Sequence, residues 1–307
     1  METENVFTYM ETCIEKKRKT GKNGTADLYR ASSNRFKGFH GGQQLCWNEI
    51  TEELVDNFEA ALKEENLKTN SINSYLSNLR AMYNAAVKEK LTDGSSPNPF
   101  THLTLKREMT EKRALPQDTI EEMAEMDLKN KPEQQKAVDF YIFSYLACGM
   151  PFVDFAHLTE ENIHGDRIVY KRAKTGTQIS VGITPGMELI MKRYKQPESK
   201  RLFPVLPDKT EVSYETYKNC LRHINKYLKE VGKQLKLTDK LTFYVSRHSW
   251  ATHAQEMDIP LSAISQALGH TSEQTTRIYL AGLSQKKLNA ANRKVTKNID
   301  IVVCKGD

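Results

Sequence analysis

The stretch Tyr244-Val-Ser-Arg247-His-Ser-Trp-Ala-Thr252, continued by Ala267-Leu-Gly-His270 and closed by Thr275-Thr-Arg-Ile-Tyr279, decides how this chain is read. Arg247 and His270 stand 23 residues apart, and His270 and Tyr279 nine. Between them Leu261, Ile264 and Leu268 recur at helical spacing, Gly269 can supply a left-handed C-cap, and a second short helix then carries Tyr279. Helix, turn and helix bring His270 and Tyr279 toward one point. His248 and His253 lie five apart without an H-E-x-x-H frame, so neither reads as a metal ligand; both are expected to pack around the arginine.

Upstream of this stretch, two β-type runs at 167–171 and 178–183 flank the turn Lys174-Thr175-Gly176. Helical patterns precede them at 117–127 and 133–147 and follow from Pro185, at 213–231 and from Arg247 onward. Residues 1–105 are helical throughout: Phe7, Met10 and Ile14, then Leu54, Phe58 and Leu62, then Ile72, Leu76, Leu79 and Tyr83 keep a helical period. Thr51 followed by Glu52 and Glu53 offers an N-cap with acids in the first turn. The charged segment 106–116, ending in Pro116, reads as a linker, and 117–307 as a second domain with a tail from about residue 285. The expected fold class is mainly α with a small β-sheet.

A chain of 307 residues with 38% hydrophobic content can build two cores. Lys and Arg (45) exceed Asp and Glu (39), a net +6 that favours a polyanionic partner. Residues 1–110 hold 15 of each sign, so the excess belongs to the remainder. DNA affinity in the first block then needs a local face. Lys16 to Lys19 and the Asn- and Ser-rich helix from Asn70 to Arg80 are the candidates, solvated helix faces being the alternative. Five scattered cysteines, none in a CxxC pair, suggest neither disulfides nor zinc. No secretory signal or apolar run of about 20 residues is present, so a cytoplasmic protein without a membrane role is expected.

The quoted stretch resembles the catalytic C-terminus of the tyrosine recombinases, or phage-type integrases, whose pattern is H-x-x-R-H-S/T-x-A-T, then L-G-H, then T-T-x-x-Y. Lys174 matches the family's β-hairpin lysine, and Cys148-Gly-Met-Pro-Phe-Val-Asp154 the box T-G-x-R-x-x-E/D. Residues 1–105 are similar to the family's helical, SAM-like core-binding domain. The resemblance implies a bacterial, nucleoid-associated, site-specific DNA recombinase in which Tyr279 forms a 3′-phosphotyrosyl link, four protomers act on two double-stranded sites, and strands pass through a Holliday junction. It leaves room for an accessory DNA-bending protein. It also implies that Ile299, Ile301, Val302 and Val303, within a tail rich in Lys286, Lys287, Arg293, Lys294, Lys297 and Lys305, form a segment exchanged with a neighbouring protomer, a self-docked or disordered tail being the alternative. Because the chain begins directly with the core-binding domain, an invertase or a compact mobile-element integrase is expected.

The chemistry accounts for these residue types. A tyrosine exchanging one phosphodiester for another keeps the bond energy, so no nucleotide cofactor or metal is required. Charge that builds on non-bridging oxygens in the transition state is held by fixed cationic donors, a task that suits Arg247 and His270. The resemblance makes Lys174 the acid that protonates the leaving 5′-oxygen.

Two positions depart from the pattern. Pro151 occupies the place of the first catalytic arginine and cannot donate to a phosphate. Arg172 is the candidate replacement: if the strand persists to the turn, Arg172 and Lys174 share a face. The alternative is that Arg172 meets only DNA backbone or solvent. Tyr244 stands where the family usually has histidine; it is a candidate hydrogen-bond donor, with packing beside Phe243 as the alternative. Two rival functions share parts of the pattern. The segment 260–280 also looks like a helix-turn-helix regulator, and a type IB topoisomerase uses the same tyrosyl chemistry.

Overall fold

The structure, a computed structural model, describes residues 5–92, 97–106, 108, 113–208, 211–280, 289, 292–297, 299 and 301. The chain divides into two compact units, Met1–Thr110 and Glu111–Asp307, each with its own core. Among the described residues no helix is long and apolar enough to cross a membrane.

The first unit contains helices α1 (Val6–Lys19), α2 (Asn23–Phe39), α3 (Glu52–Glu64) and α4 (Thr69–Lys88). Their starts follow local chemistry. The Asn5 side chain accepts from the Phe7 N–H, and Thr51 accepts from Leu54 while Glu52 and Glu53 fill the positive end of α3. Tyr9, Met10, Ile14, Phe36, Phe58 and Leu76 close the core. Part of the Asn- and Ser-rich face of α4 is engaged within the first unit. The Asn70 and Asn73 amides donate to the carbonyls of Glu108 and Lys106, both at 2.8 Å, and Asn78 donates to Ser32 Oγ at 3.2 Å. On α1, Lys16 pairs with Glu89 at 2.9 Å and Arg18 with Asp27 at 3.0 Å, exposed contacts that solvent screens.

The second unit runs α5 (Gln117–Glu125), α6 (Pro132–Leu146), α7 (Phe152–Phe155), β1 (Ile163–His164), β2 (Arg167–Lys171), β3 (Gln178–Gly182), α8 (Pro185–Tyr194), α9 (Tyr214–Gln234), α10 (Val245–Glu256), α11 (Leu261–Leu268) and α12 (Glu273–Tyr279). The strands form one antiparallel sheet in the order β1-β2-β3. Ile168 and Tyr170 alternate inward opposite Val181 and Ile179, the period-2 pattern visible in the sequence. β1 was not foreseen, since two residues are too few to show a period. α6 is the buried spine: Phe140 and Phe143 pack on Phe155 and Phe203, whose rings stack at 4.4 Å. A smaller cluster, Ala251, Ala254, Ile264, Leu268 and Leu280, joins α10 to the segment through α12.

The expected linker ends on α10. The Leu115 N–H donates to Ser249 Oγ and its carbonyl accepts from His253 Nε2, both at 2.9 Å, while His253 Nδ1 accepts from the Tyr145 hydroxyl. His253 is therefore structural, as its sequence context suggested. In the tail, Ile299 and Ile301 are exposed; Lys286, Lys287, Val302, Val303 and Lys305 lie outside the described residues.

Gly149 shows how tightly the fold holds Arg247. Its φ is +69°, and a Cβ there would sit 2.5 Å from the Arg247 Cα. Gly149→Ala should cost about 2–4 kcal/mol from left-handed strain plus overpacking. Thermal unfolding of the variant should show the second unit melting about 5–10 °C lower; an unchanged Tm would mean that this approach is looser than described.

Candidate active site

Arg247, in the first turn of α10, is 2% exposed. Its guanidinium donates to the Gly149 carbonyl at 3.1 Å and to the Leu268 carbonyl, and one nitrogen lies 3.3 Å from His270 Nε2. Arg172 is 7% exposed and donates from Nε to Asp154 at 3.2 Å and from a terminal nitrogen to the same Leu268 carbonyl. Two guanidiniums thus meet at the last carbonyls of α11, where the helix dipole supplies negative partial charge. Burial, then the neighbouring Arg172, lowers the pKa of Arg247.

The reason Arg172 comes inward differs from the expected one. β2 stops at Lys171, so Arg172 and Lys174 do not share a strand face: Arg172 is buried and Lys174 exposed. The chain turns locally, the Gly176 N–H donating to the Arg172 carbonyl and the Arg172 N–H to the Thr177 carbonyl, and Asp154 accepts from the Ala173 N–H at 2.8 Å as well as from Arg172. Burial alone raises the Asp154 pKa, and these two donors work against that. Pro151 has a part here. Its carbonyl accepts from the N–H groups of Asp154 and Phe155, starting the short helix α7 that presents Asp154. Gly269, at φ +62°, caps α11 as expected; a Cβ there would lie 2.8 Å from Arg172 Cδ and 2.7 Å from Ile179 Cδ1.

His270 is fixed by its second nitrogen, Nδ1, which is 2.7 Å from Thr276 Oγ1. Arg247 can only donate, so Nε2 accepts and the Nδ1–H donates to Thr276. Burial, then Arg247, Arg172 and Lys174, pushes the His270 pKa down to about 4. Tyr279 ends α12 with its ring edge-on to His270 at 5.7 Å and stacked on His248 at 5.1 Å. Its hydroxyl lies 2.7 Å from His248 Nδ1. Burial, then Tyr244, raises the Tyr279 pKa, with Arg247 opposing.

Arg247, Arg172, His270 and Tyr279 therefore share one site, and Lys174 is near enough for its charge to act on His270. Tyr244 does not pack with Phe243. Phe243 is in the core, whereas Tyr244 is 48% exposed with its ring edge against His248 at 5.0 Å. Three residues were undervalued from sequence: Asp154, Thr276 and His248. His248 was expected only to pack, yet it sits four residues after Tyr244, the spacing that puts both on one helix face. Among the described residues the grouping with metal-ligand spacing is Glu52, Asp56 and His102 in the first unit. There His102 Nε2 contacts Asp56 at 2.7 Å and Nδ1 lies 3.4 Å from Glu52.

The site thus places two buried guanidiniums and an imidazole beside a tyrosine hydroxyl. Residues 5–102 match the family model of the phage integrase SAM-like domain, and residues 113–286 that of the phage integrase family. The integrase of Escherichia phage P2 is 26% identical over 235 residues, 76% of this chain and 62% of that protein. A tyrosine recombinase of Thermosipho africanus is 21% identical over 282 residues, 88% of this chain and 92% of that protein. A lambda integrase tetramer bound to a Holliday junction has the same fold, with a TM-score of 0.64, 15% identity and coverage of 88% of this chain and 78% of that one. The chain belongs to the phage integrase family, the tyrosine-type site-specific DNA recombinases.

The depressed His270 pKa has a measurable consequence. The unfolded imidazole titrates near 6.5 and the folded one at about 4, so between these values the unfolded chain binds the extra proton. Stability should fall as pH drops from about 6.5 toward 4, with no such loss above 6.5. His270→Gln should flatten this part of the Tm-against-pH curve; parallel curves for the two proteins would contradict the assignment.

Proposed function

We propose that this protein cuts and rejoins double-stranded DNA at specific sites, with Tyr279 as the nucleophile. The Tyr279 oxygen attacks the scissile phosphorus, forming a 3′-phosphotyrosyl link, and the P–O5′ bond breaks. Lys174 gives the departing 5′-oxygen its proton. Arg247 and Arg172 donate to the non-bridging oxygens, whose charge grows in the transition state; His270 joins them once the arriving phosphate favours its imidazolium, and Tyr244 offers one further hydrogen bond. A 5′-hydroxyl from a partner duplex then reverses the step.

The observation that carries this reading is the meeting of Arg172 and Arg247 at the Leu268 carbonyl. Pro151 deprives the chain of the usual first arginine, and the buried Arg172 supports a site that still holds two guanidiniums. The family placement favours a recombinase over a helix-turn-helix regulator or a type IB topoisomerase. Four protomers would act on two sites through a Holliday junction in the bacterial cytoplasm, integrating, excising or inverting a mobile segment, and the lambda integrase assembly is a precedent for that arrangement.

On a nicked suicide duplex that carries the recombination site, the wild-type protein should form a covalent complex that survives denaturant. Tyr279→Phe should abolish it. Arg172→Ala should slow single-turnover formation by about 10²–10³-fold, the range for loss of one preorganised charge donor. Full-rate cleavage by Arg172→Ala would return that residue to a structural role, and a bound site without any covalent product in the wild type would overturn the reading.

A further inference from the structure

We propose that His248 is the general base that activates Tyr279, an inference that rests on Tyr279 being the nucleophile. A base must stand within hydrogen-bond reach of the proton it removes. His248 Nδ1 is 2.7 Å from the Tyr279 hydroxyl, and the two rings lie 10° from parallel. This arrangement lets Tyr279 donate while the imidazole keeps its remaining proton on Nε2.

The other groups around the hydroxyl are unsuited to the task. His270 has both nitrogens engaged elsewhere, Nδ1 with Thr276 and Nε2 with Arg247. Tyr244 replaces the histidine of the family pattern, and a phenol lacks the basic ring nitrogen that an imidazole offers. Arg247 can only donate. Burial holds the proton on Tyr279, so an unaided phenolate would be scarce. Consecutive positions on a helix differ by about 100°, which lets α10 send Arg247 into the buried arginine pair and His248 to the nucleophile.

The step balances. As the Tyr279 oxygen bonds to phosphorus, its proton passes to His248 Nδ1, giving an imidazolium. The P–O5′ bond breaks, and the 5′-oxygen takes the Lys174 proton. When a 5′-hydroxyl attacks the phosphotyrosyl link, that hydroxyl returns a proton to Lys174 and the imidazolium returns one to Tyr279.

A substrate with sulfur in place of the bridging 5′-oxygen separates this role from leaving-group chemistry, because a thiolate departs without an acid. The full chain and its His248→Asn, His248→Gln and Lys174→Ala variants are compared on oxygen and sulfur suicide duplexes, with site binding measured alongside. Both His248 variants should bind the site within about threefold of wild type and form the covalent complex about 10²–10⁴-fold more slowly on the oxygen duplex. The sulfur duplex should restore Lys174→Ala and leave the His248 variants slow. Wild-type rates for His248→Asn, restoration of either His248 variant by sulfur, or loss of site binding in both would overturn the proposal. A wild-type protein that binds the site yet forms no covalent complex on either duplex would overturn the recombinase reading, and this inference with it.

Discussion

The second unit is organised around one backbone oxygen, the carbonyl of Leu268. Two buried guanidiniums donate to it, and two like charges at such range repel unless something negative lies between them. The C-terminal end of α11 provides partial charge and Asp154 a full one. Several local features follow from that demand. Gly149 must lack a side chain because Arg247 lies against it, Gly269 because the Arg172 stem does, and Pro151 starts the helix that delivers Asp154. Position 151 holds a proline, and the second buried cation of the site comes from the end of β2.

The same crowding explains the protonation states. With Arg247, Arg172 and Lys174 close by, an imidazolium at His270 is unfavourable, and a neutral ring results. In the proposed reaction a phosphodiester would bring negative charge between these groups. It would give both arginines an acceptor stronger than a peptide carbonyl and favour the protonated His270.

Much of this was legible in the sequence because it is local. Helical periods in Phe7, Met10 and Ile14 or Leu261, Ile264 and Leu268, the alternation in β2 and β3, and the glycine cap at 269 each depend on a few neighbouring residues. The intervals among Arg247, His270 and Tyr279 were equally readable, since two helices and a turn fix them. What escaped depends on tertiary partners. The burial of Arg172 depends on Asp154, 18 residues earlier in the chain. The inward use of Asn70 and Asn73 is set by a segment more than 30 residues later. His248 looked like packing because nothing in its own helix shows that Tyr279 would arrive beside it.

In the proposed reaction Arg172 serves the reacting phosphate together with Arg247. This role is tested most directly by determining the structure of the protein with a nicked recombination site and vanadate joined to Tyr279 as a mimic of five-coordinate phosphorus. The account predicts guanidinium nitrogens of both Arg172 and Arg247 at about 2.7–3.1 Å from the equatorial oxygens. An Arg172 that stays on Asp154 and Leu268 without touching vanadate, while another side chain takes its place, would contradict it.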